Sequence, residues 1–358
     1  MKTNGCDHLL SKFFFFIVCL LVASCVSPAA TSILQESPAA PALRPTMTVD
    51  FTEITASHPW RIAFVPKFKL YGETKHLSSY WQPAWDGAQK AGDDFGVQVE
   101  LVVSDTLGSA DAEYVEPQIR LVAALIEKGE TDGLVIAPFD SNRLAPVIEK
   151  AIAAGIPVVA MDTPVNSDQL LSFVVFDNYS AGQAIGEWVV QKLGGKGNVL
   201  ILDGPPDQQN AIDRRNGFLA GLRSGDINVL GAKTADWEID PAHKIAADWL
   251  DKFADIDAII AANDNMALGA AQAIAEANRK EILVTGFDAT DIALQAVAAG
   301  QISATVDQAP GEQARLAIQM LIKHLKTGET FPPIIYLPEI PLVTPENVDT
   351  YLLQRGLR

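Results

Sequence analysis

From Trp60 onward, short apolar runs rich in Val, Ile and Ala alternate with longer stretches in which apolar residues recur every three to four positions. The short runs predict strands at 61–65, 97–103, 133–137, 157–161, 198–202, 229–233, 258–261, 282–287 and 303–306. The longer stretches predict helices at 80–95, 112–128, 144–154, 180–193, 209–223, 241–253, 265–277, 291–299 and 311–326. Gly96, Gly129, Gly155 and Gly300 each follow a predicted helix, where a left-handed residue ends the hydrogen-bond ladder. Strands without polar alternation are covered on both faces, and strands joined by helices pair in parallel. The pattern therefore predicts an α/β fold of doubly wound parallel sheets. Nine strand units exceed one ordinary open sheet, so two lobes with separate cores are expected.

Ahead of this alternation lies a different pattern. An apolar run begins at Phe13 and closes on Ala23-Ser24-Cys25, with Lys2 and Lys12 before or at its start. It is too short to span a bilayer stably and reads as a cleaved export signal. Because a cysteine stands at the expected cut, the segment resembles a bacterial lipoprotein signal, which implies removal of residues 1–24 and lipidation of Cys25; Val22 departs from the commoner Leu. An uncleaved anchor or an ordinary signal is the alternative. Residues 25–57 are rich in Ser, Pro, Ala and Thr without an apolar period and read as a flexible tether. The folded part is then expected outside the cytoplasm, anchored to the cell membrane.

Cysteine use fits export without disulfides: Cys6 and Cys19 fall in the signal, which leaves only Cys25. The formal net charge of −17 argues against nucleic acid as a partner and against electrostatic membrane binding. Histidines at 58, 76, 243 and 324 have neither metal nor triad spacing, so neither a metal, a cofactor nor enzymatic catalysis is expected. Gly194-Gly195-Lys196-Gly197 precedes a strand instead of following one, and reads as a turn and not as a phosphate loop.

In doubly wound sheets ligands bind beyond the carboxyl ends of the strands. Those positions hold Pro66 and Lys67, Asp140, Asp162 and Thr163, Asp177 and Asn178, Asp203, Asp236 and Trp237, Asn263 and Asp264, Asp288, and Asp307 and Gln308. Carboxylates, amides and aromatic rings in this mixture suit a neutral polyol, whose hydroxyls donate and accept and whose C–H faces pack on rings. Each aspartate taken alone reads equally well as a helix cap or turn residue.

Six stretches in order carry a more specific signal: Asp86-Gly87-Ala88-Gln89-Lys90, residues 155–162, Asp177-Asn178, Arg214-Arg215-Asn216-Gly217-Phe218, residues 263–270, and Gly286-Phe287-Asp288. From about Arg61 to Asn347 the chain resembles the periplasmic sugar-binding proteins of the ribose and galactose type. The resemblance implies two doubly wound lobes joined by a three-strand hinge, the periplasmic binding protein-like I fold. It implies lobe 1 at 58–176 completed by 309–337, lobe 2 at 177–308 completed by 338–358, and crossings near Phe176–Asp177, Gln308–Ala309 and Leu337–Pro338. It further implies that Asp162, Arg214, Asn263, Asp288 and Gln308 hydrogen-bond the ligand, with aromatic walls from Tyr80, Trp81, Trp237 and Phe287. Arg214 would offer a two-pronged donor, and Asp162 and Asp288 would each accept two hydroxyl protons. Thr163 stands where ribose binders carry Arg, and the 67–79 loop is long, with Tyr71, Lys75 and His76; ribose is therefore not the expected ligand, and Lys67 and Tyr71 are further candidates. The implied activity is that of a monomeric binding protein that closes on its solute and delivers it to the permease of an ABC importer. A sensor presenting the liganded form to a kinase or chemoreceptor is the alternative.

Overall fold

The computed structural model describes residues 54–67, 77, 79–103, 114–337 and 342–358. The export segment, Cys25, most of the tether, and Tyr71, Lys75 and His76 lie outside these residues. The first described elements are β1 (Arg61–Val65), α1 (Trp81–Phe95), β2 (Gln98–Leu101), α2 (Val115–Lys128), β3 (Gly133–Ile136), α3 (Ala145–Ala153), β4 (Val158–Met161) and β5 (Ser172–Val175). There follow α4 (Asn178–Lys192), β6 (Lys196–Asp203), α5 (Gln209–Leu222), β7 (Asp226–Thr234), α6 (Ile239–Lys252), β8 (Ala258–Ala261), α7 (Asp264–Glu276), β9 (Leu283–Thr285) and α8 (Asp291–Ala298). The chain ends with β10 (Thr305–Val306), α9 (Pro310–Thr327), β11 (Ile334–Tyr336), β12 (Leu342–Val343) and α10 (Val348–Gln354).

All nine expected strands and all nine expected helices form, with ends shifted by a few residues. Three strands and one helix were not anticipated. β5 follows β4 with no helix between them, β11 and β12 have only three and two residues, and α10 has seven. β11, β12 and α10 are too short to display a period, and β5, as long as β3 and β4, lacks the intervening helix that marks a separate unit. Gly194 and Gly195, at φ 69° and 92°, form the turn that leads into β6.

The strands form two parallel sheets, ordered β11-β5-β4-β3-β1-β2 and β7-β6-β8-β9. Both put the first strand of the unit between its second and third, as doubly wound sheets do. Side chains alternate across β1: Ile62 and Phe64 join the core under α1 and α9, while Ala63 and Val65 join the core under α2 and α3. Both faces of β1 are thus dry from Ile62 onward, which is why its pattern is apolar there. The second sheet has its own core, built with Phe218, Trp249, Met266 and Phe287. A short antiparallel pair, β10 with β12, lies beyond β9, to which it is joined by the Thr285–Ala304 bridge.

We call the layers around each sheet a lobe. The chain passes from the first sheet to the second after β5, and returns after β10, since α9 packs on α1. It leaves the first sheet again after β11, through residues 338–341, which lie outside the described set.

Helix ends show local sequence at work. Asp177 caps α4 through Ser180 N–H, Asn263 caps α7 through Met266 N–H, and Thr290 caps α8 through Ala293 N–H. The contact between α4 and α5 is made by glycine: a Cβ on Gly217 would lie 2.2 Å from Tyr179 O, and one on Gly221 the same distance from Gln183 O. Only hydrogen at these positions lets the two backbones touch.

Candidate functional site

The carboxyl ends of both sheets border one cavity, about 830 Å³ when its solvent-open mouth is counted. From lobe 1 it is lined by Lys67 after β1, Ser79, Tyr80 and Trp81 at the start of α1, Phe139 after β3 and Asp162 after β4. Lobe 2 contributes Gln208, Asn210 and Arg214 from α5 and the turn before it, Trp237 and Glu238 after β7, Asn263 and Asn265 after β8, and Asp288 after β9; Gln308 follows β10.

Asp162 sits in the left-handed region at φ 63°. Lys67 Nζ lies 3.0 Å from its Oδ2, Thr163 Oγ1 donates to the same oxygen at 2.7 Å, and Tyr80 Oη donates to Oδ1 at 3.1 Å. Burial alone would raise this carboxyl; the Lys67 charge, the hydrogen bonds from Thr163 and Lys67, and Arg214 outweigh it and hold the group below its ordinary value. A carboxylate offers about four lone-pair directions, and three are filled here. Asp162 therefore has room for one ligand hydroxyl instead of the two expected. Lys67 also donates to Thr163 Oγ1 at 2.5 Å, so the cation beside Asp162 comes from the end of β1 and not from position 163. Burial, then the charges of Asp162 and Asp288, push the Tyr80 phenol well above its ordinary value, keeping it a neutral donor whose oxygen can still accept.

The opposite wall is built around Arg214, which is 3% exposed. Its Nε donates to Asn178 Oδ1 at 2.8 Å, and Nη1 donates to Ala262 O at 2.6 Å and reaches Asp288 Oδ1 at 3.4 Å. Only Nη2 is left without a protein partner among the described residues, so the two-pronged donor of the sequence expectation is reduced to one free prong. Asp288 lies at φ 117°, another conformation that L side chains rarely adopt. Gln308 Nε2 also donates to its Oδ1, which leaves Oδ2 open. Burial pushes the Asp288 carboxyl well above its ordinary value, assisted by Asp264 and Asp162 and opposed by Arg214 and Gln308.

Two indole rings line the cavity. Trp81 meets Tyr80 edge-on at 4.9 Å between ring centroids, and Trp237 is held by a bond from its Nε1 to Gln208 Oε1 at 3.1 Å. Asp236 and Trp237 both have positive φ, 54° and 68°, and a Cβ on Gly204 would fall 2.2 Å from the indole. Glycine after β6 thus makes room for the ring. Backbone strain of this kind concentrates at ligand clamps, and here it marks Asp162, Trp237 and Asp288.

Eight of the nine expected ligand residues line this cavity: Tyr80, Trp81, Asp162, Arg214, Trp237, Asn263, Asp288 and Gln308. Phe287 does not. It is fully buried, with the Arg214 guanidinium 3.9 Å above its ring, so it supports the arginine from behind and is no wall of the cavity. Asn263 spends its Oδ1 on the α7 cap and one Nδ2 proton on Trp237 O, at 3.2 Å. Phe139, Gln208, Asn210 and Asn265 were missed because each lies one or more residues away from the strand-end aspartate or asparagine that drew attention. Those aspartates have other work: Asp140 and Asp177 accept from backbone N–H groups of following turns, and Asp307 accepts from Ala309 N–H and pairs with Arg355. Among the described residues no group of three or more His, Cys, Asp or Glu could hold a metal ion.

Residues 74–330 match the family described as periplasmic binding protein domain. The D-ribose/D-allose-binding protein of Pseudomonas aeruginosa is 33% identical over 252 residues, which cover 68% of this chain and 77% of that protein. The xylitol-binding protein of Mycolicibacterium smegmatis is 31% identical over 237 residues, covering 66% of this chain and 67% of that one. Among solved structures, an ABC transporter periplasmic solute-binding protein from Actinobacillus succinogenes with bound D-allose superposes with a TM-score of 0.73 at 27% identity, covering 82% of this chain and all of that one.

Proposed function

Because this chain belongs to the periplasmic binding protein domain family, we propose that it is an extracytoplasmic solute-binding protein which captures a monosaccharide or similar polyhydroxylated molecule and delivers it to an ABC importer. The observation that carries the ligand class is the pairing of charge within the cleft. Lys67 stands against Asp162 and Arg214 against Asp288. A ligand bringing a net charge would leave one buried ion uncompensated, whereas a neutral polyol meets the open Nη2, Oδ2 and phenol oxygen with hydroxyls that both donate and accept. The ligands named for the relatives, ribose, allose and xylitol, are of this neutral kind. Ring contact from Trp81 and Trp237 favours a compact ligand with an apolar face.

Binding is by closure of lobe 1 (58–176 with 309–337) on lobe 2 (177–308 with 338–358), an assignment supported by the membership of the two sheets. The ligand is held and released unchanged, by a monomer, with no cofactor. Attachment is through lipid on Cys25, which the sequence pattern supports; among the described residues no helix is long and apolar enough to cross a membrane. A thermal-shift screen tests the ligand class. Neutral pentoses, hexoses and pentitols should include at least one that raises the melting temperature by mass action. Uronic acids and amino sugars of the same skeleton should not, and stabilisation by these charged sugars alone would contradict the reading.

A further inference from the structure

Asn178 is the second residue past the first crossing, is 3% exposed, and bonds in two directions. Its backbone N–H and its Nδ2 both donate to Phe176 O, at 2.9 and 3.1 Å. Its Oδ1 accepts from Arg214 Nε at 2.8 Å. A second path links the same two residues: the Phe176 ring meets Phe287 edge-on at 5.9 Å, and Phe287 carries the guanidinium on its face at 3.9 Å. The two supporting helices touch backbone to backbone at this level, since a Cβ on Gly182 of α4 would lie 2.5 Å from Arg214 O. The crossing strand, Asn178, Arg214 and Phe287 therefore form a closed circuit between the place where the lobes turn and the cation that faces the cleft.

We propose that Asn178 is a positioning residue that fixes the guanidinium of Arg214 according to the conformation of the Phe176–Asp177 crossing, and so couples ligand contact to lobe closure. The ligand half of this proposal rests on the reading of the cleft given above. With Nε held by Asn178 and Nη1 by Ala262 O, the guanidinium plane has one orientation and Nη2 is presented to the ligand. Without Asn178 the Nε–H is a buried donor with no acceptor, and the group turns to find one. A ligand that grips Nη2 then no longer biases the crossing, since coupling needs an element whose two arrangements both sites favour differently.

The test uses the whole folded protein with Asn178→Leu, which removes both side-chain bonds at similar volume, and Asn178→Asp, which keeps the acceptor for Nε; Asn178→Ala serves where the leucine variant does not fold. In the ligand-free protein, the Arg214 Nε–H resonance, assigned by its loss in Arg214→Lys, should exchange slowly in wild type and Asn178→Asp and quickly in Asn178→Leu or Asn178→Ala. Slow exchange in the apolar variants would overturn the proposal. For whichever of D-ribose, D-allose or xylitol binds wild type, the apolar variants should lose about ten- to hundredfold in affinity, the worth of a hydrogen bond to a charged group. Asn178→Asp should restore most of it. Equal affinity in wild type and Asn178→Leu would overturn the coupling. Failure of all three sugars with wild type would count against the ligand reading alone, and the exchange measurement would still judge the role of Asn178.

Discussion

At the scale of single residues, the cleft is made of charges that need each other. Removing one member of a buried pair leaves the other uncompensated, which costs about 3–5 kcal/mol. Lys67→Met should therefore destabilise the fold by that order, measured by urea unfolding, because Asp162 is left 6% exposed with only hydroxyl partners. Unchanged stability would mean that the pair is not formed. Asp203 supplies a pH test away from the ligand. Its Oδ1 is buried without a hydrogen-bond partner, and burial, opposed by Arg215, raises its carboxyl from 3.8 to about 6. The folded state thus holds a proton that the unfolded chain releases, so this group's contribution falls as pH rises from about 4 to about 6 and is fully lost above that. Relative to Asp203→Asn, wild type should lose roughly 2 to 2.5 kcal/mol between pH 4 and pH 7. A constant difference between the two would refute the shift. What sequence alone revealed at this scale was the set of polar residues at strand ends. Strand-end position by itself does not separate Asp140 from Asp162, which look alike until one caps a turn and the other meets Lys67; the order of motifs shared with the sugar-binding family is what singled out Asp162.

At the scale of elements, the strand and helix periods were legible because burial is regular: the central strands β3, β4 and β8 are buried along their whole length, and the long helices bury one stripe. The short β5, β11 and β12 owe their existence to neighbouring strands, as in the pairing of Ile334–Tyr336 with Phe173–Val175, and a pairing between distant segments leaves no local period. The glycines of α4 and α5 were likewise visible in the sequence but not their purpose. An exposed helical glycine changed to alanine gains about 1 kcal/mol in propensity. Gly217→Ala should instead destabilise by roughly 1–3 kcal/mol, because its Cβ would press on Tyr179 O and force the helices apart. Chemical denaturation decides the sign, and a stabilised variant would show that the backbones are not in contact.

At the scale of the whole molecule, two sheets with one winding order bring their carboxyl ends to a common cavity, and the chain crosses between them, the arrangement on which the proposed closure rests. The order of six short motifs made this architecture legible, whereas the Lys67–Asp162 pair was not, since a lysine after β1 and an aspartate after β4 stand 95 positions apart in the sequence. Ligand should compact the protein, lowering the radius of gyration in X-ray scattering; no change at saturating sugar would argue against closure. The most direct test of the account is a calorimetric titration of the best-stabilising neutral sugar into wild type and into Asp288→Asn. The predicted result is one sugar per chain for wild type, with affinity lower by about ten- to hundredfold in the variant and the fold retained. Equal affinity in the two proteins would contradict it.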